Sequence, residues 1–389
     1  MPRLLIINNI PTPYRTFMFN RLHAHGKARG IDVQVAFQAA REKRRPWKPE
    51  DFQMEFPHFI STGWGLGSAR NEYANYATVN LDIVRALRDP AVRWVVAAPF
   101  QSIGMWWLTL RLPRHVTGLL WCESNLTSSR FNRGPGKWLK SQLIARYPIL
   151  VCPGRRAVEY LAAINPTAAT KPVLWLPNIV DVSVFRGRVA AERPNRAAIR
   201  AELGIGDDTQ FIFAIGRITE SKGFGQLPAA VARVPGKYRI LVYGGGERRD
   251  EWIAKARELN IEDRLQFPGE IPEKEVARRH AAADWFLHPA LHDPSPLVTI
   301  EATNAGVPMA VSQATGNAPE VVDEGRNGFT FDSTSIDATA AAIERMVRSS
   351  AEERRAMGRA SDELSVERFD PDRVCTRFFD ELVRFAPPR

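Results

Sequence analysis

Two acidic residues bracket the start of a predicted helix in the segment HDPSPLVTIEATNAG, residues 292–306. The preceding run ADWFLHP is typical of a buried strand. Ser295 is a natural N-cap and Pro296 a natural first helical residue, so we expect a helix that begins there and ends at Gly306. Asp293 then lies just before the helix, and Glu301 lies within it.

The start of this helix has the chemistry of a nucleotide site. Free backbone amides at Leu297 and Val298, reinforced by the helix dipole, are suited to hold a phosphate. Glu301 lies one turn deeper on the same face as Leu297, where a carboxylate can accept hydrogen bonds from two adjacent hydroxyls such as those of ribose. Asp293 would contact whatever lies beyond the phosphate. Taken alone, the two acids also fit a capping residue and a surface residue.

A second candidate segment is GRITESKG, residues 216–223, directly after the apolar run FIFAI. Arg217 and Lys222 would project from a loop at the carboxyl end of a strand. Gly216 and Gly223 allow close backbone approach, and two fixed cations can neutralise a departing diphosphate. The alternative interpretation is a pair of solvated cations in a loop.

The elements that position these residues follow a β-α-β-α order, in which helical patterns such as Tyr73 to Arg88 lie between predicted strands. Short apolar runs without strict alternation recur along the chain, such as RLLIINN, RWVVAAP, QFIFAIGRI and YRILVYGGG. Such runs indicate parallel strands buried on both faces. We therefore predict an α/β protein with two Rossmann-like doubly wound parallel-sheet domains facing a central cleft. The predicted domains are residues 1–180 and 181–369, with a linker near 180–205 and a terminal helix at about 370–389 that packs back onto the first domain.

Several motifs occur in a fixed order between residues 177 and 332, and together they carry a family resemblance. They are PNIVDVSVF, GRITESKGFGQL, LVYGGGE, LQFPGEIPEKEV, AAADWFLHPALHDPSPLVTIEATNAGVPMAVS and GNAPEVVDEGRNGFTFD. This series resembles that of family-4 retaining glycosyltransferases of the GT-B fold, within the glycosyl transferases group 1. The first half of the chain resembles the family mainly in its strand and helix order.

The resemblance implies roles for individual residues in binding a nucleotide-sugar donor. Arg217 and Lys222 match the basic pair that binds the diphosphate, and Glu301 matches the acid that holds the ribose. Asp293 stands where the family usually has a glutamate that contacts the donor sugar, and its shorter side chain sets the carboxylate back by about 1.5 Å, one bond. Glu270 and Ile271 match the loop beside the base.

This chain also departs from the family pattern. Pro294 and Ser295 replace the common Gly and Phe, and NNIPTPYR replaces the Gly-Gly loop after the first strand. Glu123, in WCESN, stands where the family commonly has a histidine. Glu123 either holds a substrate hydroxyl or is a buried acid satisfied by backbone amides.

The resemblance implies a retaining hexosyltransferase that needs no cofactor and no metal. In the family's front-face mechanism the leaving diphosphate helps to deprotonate the acceptor hydroxyl, so no protein nucleophile is required. The sequence leaves the base and sugar of the donor open. A sugar-nucleotide epimerase or a sugar phosphorylase on the same architecture is the alternative within enzymes.

The composition limits which binding partners and which cellular location we expect for the protein. The 389 residues carry a net charge of +10, which favours anionic partners. The cations are scattered and no nucleic-acid recognition module is evident, so a nucleic-acid-binding protein is the more distant alternative. Cations and tryptophans in residues 41–49 and 104–114 favour peripheral membrane contact and a lipid-linked or saccharide acceptor. We expect a cytoplasmic protein, with membrane contact at the inner face, and reduced, buried cysteines.

Three further motifs resemble functional sites. Residues 370–372, DPD, are typical of a helix cap rather than a metal site. Residues 63–68, GWGLGS, lack the spacing of a dinucleotide fingerprint and indicate a mobile loop. His288 and His292 lie near Asp293, but Pro289 prevents a regular helix from aligning them, which favours a structural or substrate-contacting role over zinc.

Overall fold

The structure is a computed structural model that describes residues 1–40, 52–61, 64–65, 78–98, 103–126 and 133–388. The described residues divide into two compact units, Met1–Ile179 with Pro371–Arg389, and Val180–Asp370.

The first unit contains a parallel sheet in the strand order β3-β2-β1-β6-β7-β8-β9. Its elements are β1 (Arg3–Asn8), α1 (Pro13–Ala28), β2 (Asp32–Phe37), β3 (His58–Ile60), β4 (Trp64–Gly65), β5 (Thr78–Val79), α2 (Leu81–Ala86), β6 (Val92–Ala97), α3 (Ile103–Thr109), β7 (Thr117–Trp121), α4 (Gly134–Arg146), β8 (Ile149–Cys152), α5 (Arg155–Ile164) and β9 (Val173–Trp175).

Both faces of this sheet are covered, which explains its continuous apolar runs. Successive side chains of a strand point to opposite faces. Leu4 and Ile6 of β1 therefore join one core cluster, while Leu5 and Ile7 join the other. The cysteines Cys122, Cys152 and Cys375 are free and buried, as predicted.

The second unit contains a parallel sheet in the order β12-β11-β10-β13-β14-β15. Its elements are α6 (Val182–Glu192), α7 (Arg196–Glu202), β10 (Gln210–Ile215), α8 (Leu227–Arg233), β11 (Tyr238–Tyr243), α9 (Arg249–Glu258), β12 (Leu265–Gly269), α10 (Glu273–Ala282), β13 (Trp285–His288), α11 (Leu297–Asn304), β14 (Met309–Ser312), α12 (Ala318–Val321), β15 (Gly328–Phe331), α13 (Ile336–Arg348) and α14 (Ala351–Arg368). With the first unit, these elements confirm the predicted α/β fold of Rossmann-like parallel-sheet domains.

The terminal helix α15 (Pro371–Phe385) belongs to the first unit and packs on α1. Its apolar face, which includes Phe378 and Phe379, joins the core cluster of β1. Asp372 lies in the first turn, where it pairs with Arg21 and accepts a hydrogen bond at 2.8 Å from His25 Nε2. Asp372 therefore anchors this helix to α1, and Asp370 directly precedes the first helical residue, at the predicted cap position.

Two predicted elements are wrong in detail. The expected linker at 180–205 is folded as α6, a short 3-10 turn and α7, because Phe185, Val189 and Ile199 are buried in the core of the second unit. The helix expected from Tyr73 to Arg88 is α2, which begins only at Leu81. It is preceded by β5, which pairs antiparallel with β4; residues 73–77 lie outside the described part of the chain.

Candidate functional site

Several predicted site residues of the second unit follow the two strands between which its strand order reverses. β10 and β13 are adjacent at this point, although they are far apart in sequence. Arg217 and Lys222 follow β10, and Asp293 follows β13. In open parallel sheets, ligands bind beyond the carboxyl ends of the strands at such a switch point. The fold therefore collects these side chains at one edge.

A glycine loop holds the backbone around Arg217. The amide of Gly216 donates to the Tyr243 carbonyl at 3.0 Å, and the amide of Ile218 donates to the Gly245 carbonyl at 2.8 Å. A Cβ atom at Gly246 would overlap the Ile218 carbonyl oxygen, so only glycine permits this approach. The Arg217 side chain is exposed, and no described residue forms an ion pair with it.

The Lys222 loop is seated on the segment after β13. Gly223 has a φ of +72°, and a Cβ atom there would overlap the Pro289 carbonyl oxygen. The amide of His292 donates to the Ser221 carbonyl at 2.9 Å. These contacts bring the Lys222 ammonium group onto the Asp293 carboxylate, where the two form an ion pair.

Asp293 is buried and ionised. Its side chain is 10% exposed, and His288 Nε2 lies 3.5 Å from the carboxylate oxygen that Lys222 contacts. Burial alone would raise the pKa of Asp293, but His288 and Lys222 outweigh burial and lower that pKa to about 2. A buried carboxylate that stays charged at neutral pH can hold a sugar hydroxyl or a cationic lysine in a fixed position.

Helix α11 begins one residue later than the sequence suggested. Pro296 is the flanking residue, with extended angles of φ −66° and ψ 133°, and Ser295 precedes it. The expected N-cap position at Ser295 is therefore wrong, because Pro296 occupies it. The Pro296 carbonyl accepts hydrogen bonds from Thr299 Oγ1 at 2.9 Å and Asn317 Nδ2 at 3.1 Å, which hold this turn. Leu297 and Val298 become the first two helical residues, whose amides lack intrahelical acceptors.

The other end of α11 agrees with the sequence prediction. Gly306 has a φ of +60°, and its amide donates to the Thr303 carbonyl at 3.1 Å. The Val307 amide donates to the Ala302 carbonyl at 3.2 Å. This Schellman arrangement ends the helix at the predicted glycine.

The Glu301 side chain is partly buried, and no described residue donates a hydrogen bond to its carboxylate or forms an ion pair with it. Burial, with a smaller contribution from the charge of Glu273, raises the pKa of Glu301 to about 7. Such a carboxylate has its acceptor positions available for a ligand. Hydroxyl donors from a ligand would stabilise its ionised form.

Glu270 and Ile271 follow β12 beside the same glycine loop. A Cβ atom at Gly245 would overlap Oε1 of Glu270, so the glutamate side chain lies directly over the loop. Ile271 is partly buried and packs against the core cluster of α10 and α11. The loop after β12 thus lies next to the glycine loop that supports Arg217.

Glu123 lies in the first unit, directly after β7, and it pairs with an arginine. Arg15 of α1 forms an ion pair with the Glu123 carboxylate, and the side chains are 5% and 37% exposed respectively. The Arg15 guanidinium also lies over the Trp121 ring, 4.5 Å from its centroid. The partner of Glu123 is therefore a guanidinium rather than backbone amides, whereas its contact with a substrate hydroxyl stays a prediction.

Sequence reasoning missed Arg15. Its signal was present in NNIPTPYR, where an arginine follows a proline at the start of a helix, but nothing local indicated a partner 108 positions away. Other predicted surfaces are only partly described. Residues 41–49 and most of 63–68 lie outside the described ranges, whereas α3 covers the start of 104–114. Within the described ranges, no helix is long and apolar enough to cross a membrane.

Comparisons with known proteins identify relatives of this chain. The family described as glycosyl transferases group 1 matches residues 195–363, which include all the candidate residues of the second unit. The D-inositol 3-phosphate glycosyltransferase of Mycobacterium marinum is 33% identical over 321 residues, covering 71% of this chain and 68% of that protein.

Other relatives match a shorter region. The lipopolysaccharide core biosynthesis glycosyltransferase LpsE of Rhizobium meliloti is 33% identical over 176 residues, which is 44% of this chain and 48% of LpsE. The chain thus spans about half the length of this relative.

Solved structures share the fold over nearly the whole chain. The Anabaena protein HepE, solved with UDP and glucose, has a TM-score of 0.71 and 16% identity and covers 99% of this chain and 100% of its own. The lipopolysaccharide outer core galactosyltransferase WaaB, in its apo form, has a TM-score of 0.72 and 15% identity, with 98% and 99% covered.

Proposed function

The chain belongs to the glycosyl transferases group 1 family, and we propose that it moves a hexose-type sugar from a nucleotide-sugar donor to an acceptor hydroxyl with retention of configuration. The observation that carries this proposal is the arrangement at the edge of the second sheet. Lys222 is fixed by Asp293, the amides of Leu297 and Val298 start the neighbouring helix, and the Glu301 carboxylate lies one turn further on with no described partner.

In this proposal the donor diphosphate lies between the cationic loop and the start of α11. Arg217 and Lys222 provide positive charge, and the helix amides of Leu297 and Val298 donate hydrogen bonds. Glu301 holds the two ribose hydroxyls, and Glu270 with Ile271 lies beside the base. These groups supply charge stabilisation from protein atoms, so we propose that no metal ion is needed.

The reaction breaks the bond between the anomeric carbon and a diphosphate oxygen. The acceptor oxygen forms the new bond to the same carbon on the same face, and its proton passes to the departing diphosphate. Charge accumulates on the diphosphate as the bond breaks, so Arg217 and Lys222 bind the transition state more strongly than the ground state. Asp293 keeps the Lys222 ammonium group in position and faces the donor sugar.

We propose that the acceptor is a lipid-linked or saccharide chain in polysaccharide, lipopolysaccharide or glycolipid biosynthesis. The names of the relatives support this class, since they include a lipopolysaccharide core enzyme and an inositol phosphate glycosyltransferase. The net charge of +10 supports contact with an anionic inner membrane face.

The test combines donor screening with a charge reversal. UDP-, GDP-, ADP- and dTDP-sugars are screened by thermal shift, because a bound donor raises the unfolding temperature. The donor that binds is then used in an assay for nucleoside diphosphate release with and without acceptor saccharides. Lys222→Glu is expected to lower turnover by about 100-fold or more.

Lys255→Glu is the matched control, since Lys255 is exposed on α9 and its one ion-pair partner among the described residues is Glu258. It is expected to keep normal turnover. Normal turnover of Lys222→Glu would contradict the assigned role, and epimerised sugar nucleotide without diphosphate release would indicate an epimerase.

A further inference from the structure

The first unit contains a cavity of about 370 Å³ at the edge of its sheet opposite to Glu123. Arg93 lies at the start of β6, Thr117 begins β7, and Arg146 ends α4; all three residues line the cavity. Arg114 and His115, from the segment before β7, complete the polar part of the wall. The cavity thus lies at the amino-terminal ends of these strands.

The cavity wall is strongly cationic. It contains three arginines and a histidine, and none of the described residues that line it is an aspartate or a glutamate. Among the described residues, none forms an ion pair or hydrogen bond with the side chain of Arg93, Arg114 or Arg146. The Nε2 atom of His115 is buried, and no described residue forms a hydrogen bond with it. Cationic side chains that line one cavity give it a positive electrostatic potential, which favours the binding of an anion.

We propose that this cavity binds a phosphate monoester. The guanidinium group presents paired N–H donors that match two phosphate oxygens, and three arginines are among the residues that line the cavity. The cavity is of the size that holds small organic ligands. Apolar wall residues Leu112, Pro113 and Pro387 would contact the carbon skeleton that carries the phosphate. The ligand is either a phosphorylated small molecule or the headgroup of a phosphomonoester lipid.

This cavity is separate from the Arg15–Glu123 ion pair, which lies at the other end of the same strands. β7 contains five residues, so its first and last residues lie about 13 Å apart at about 3.3 Å per residue. Glu123 and its partner Arg15 lie beyond the carboxyl end of that strand, and Arg114 and His115 precede its amino end. The proposal therefore does not depend on the proposed function.

The test measures arginine accessibility at single residues. Phenylglyoxal modifies the full-length protein at constant ionic strength, and peptide mass spectrometry gives the modification rate of each arginine. The probes are inorganic phosphate, glycerol 3-phosphate, and vesicles of phosphatidylcholine with or without phosphatidic acid. A probe at about twice its Kd should slow modification of Arg93 about threefold, because occupied sites are protected. Arg359, an exposed arginine on α14, is the internal reference.

Variants then test whether the arginines act together. Arg114→Gln combined with Arg146→Gln changes two exposed side chains and should abolish protection of Arg93. Arg359→Gln removes a charge elsewhere and should preserve the protection of Arg93. Protection by the soluble probes identifies a free phosphate ligand, and protection only by phosphatidic acid vesicles identifies a lipid headgroup. The proposal is overturned if no probe protects Arg93 more than Arg359, or if the double variant keeps full protection.

Discussion

Replacing Glu301 with glutamine should stabilise the folded protein at alkaline pH while weakening its hold on a nucleotide. The carboxylate is partly buried without a described donor, and its pKa is raised from 4.5 to about 7. A site that is costly to ionise without ligand is expected where ligand hydroxyls supply the missing hydrogen bonds. Glutamine keeps the shape of the side chain and removes its charge.

The pH dependence follows from the raised pKa. Below about pH 4.5 the carboxyl group is protonated in both folded and unfolded chains, so the substitution has little effect. Between pH 4.5 and about 7 the unfolded chain releases the proton while the folded chain retains it, so wild-type stability falls as pH rises. At about 1.36 kcal/mol per pH unit, the full loss above pH 7 is about 3 kcal/mol, and Glu301→Gln should recover most of it.

Nucleotide binding should change in the opposite direction. A hydrogen bond to a charged group contributes about 1.5–3 kcal/mol, so loss of the carboxylate should weaken binding by about 10- to 100-fold. The variant is thus expected to be more stable and less able to bind the donor. A purely structural surface glutamate would produce neither effect.

The assay is urea unfolding of wild type and Glu301→Gln at pH 5 and pH 8, with nucleotide binding measured by calorimetry. Glu273→Gln is the control, because Glu273 is exposed on α10 and raises the pKa of Glu301 only as a secondary cause. Its stabilisation at pH 8 should be smaller. The reasoning is refuted if the stability difference between Glu301→Gln and wild type is the same at both pH values, or if the variant binds nucleotide normally.

Further predictions concern other parts of the two units. Gly223→Ala should destabilise the fold by more than about 1 kcal/mol, because φ is +72° and backbone atoms fill the space for a Cβ atom. Gly187→Ala is the control, because a Cβ atom on α6 at this position meets no neighbour. Thermal unfolding should show a lower unfolding temperature for the first variant only. Asp293→Asn should lower the free energy of unfolding by about 2 kcal/mol at pH 7. This difference from wild type should disappear as pH falls through about 2, where wild-type Asp293 protonates. An equal difference at pH 2 and pH 7 would contradict the lowered pKa of Asp293. Glu123→Gln should cost about 1–2 kcal/mol because it leaves Arg15 without its partner, and a double-mutant cycle with Arg15→Met should show coupling between them.

Local sequence patterns predicted most of the elements that hold the site. Continuous apolar runs identified the main parallel strands, because strands buried on both faces need apolar residues at successive positions. Gly306 predicted the end of α11, since a glycine readily adopts the left-handed conformation that ends a helix. The order of motifs placed Arg217, Lys222 and Glu301 on loops and a helix that follow β10 and β13. The donor-binding roles of these residues are still predictions.

Tertiary structure alone decided which distant residues meet. Arg15 and Glu123 are joined because β1 and β7 end at the same edge of one sheet, and no periodicity records that pairing. Burial of Phe185 and Val189 turned an expected linker into a helix of the second unit. Arg93, Arg114 and Arg146 line one cavity only because two strands begin beside the end of α4. Secondary structure depends on residues that are near neighbours along the chain. Contacts between charged residues that are far apart in sequence depend on how the elements pack, which a linear pattern does not encode.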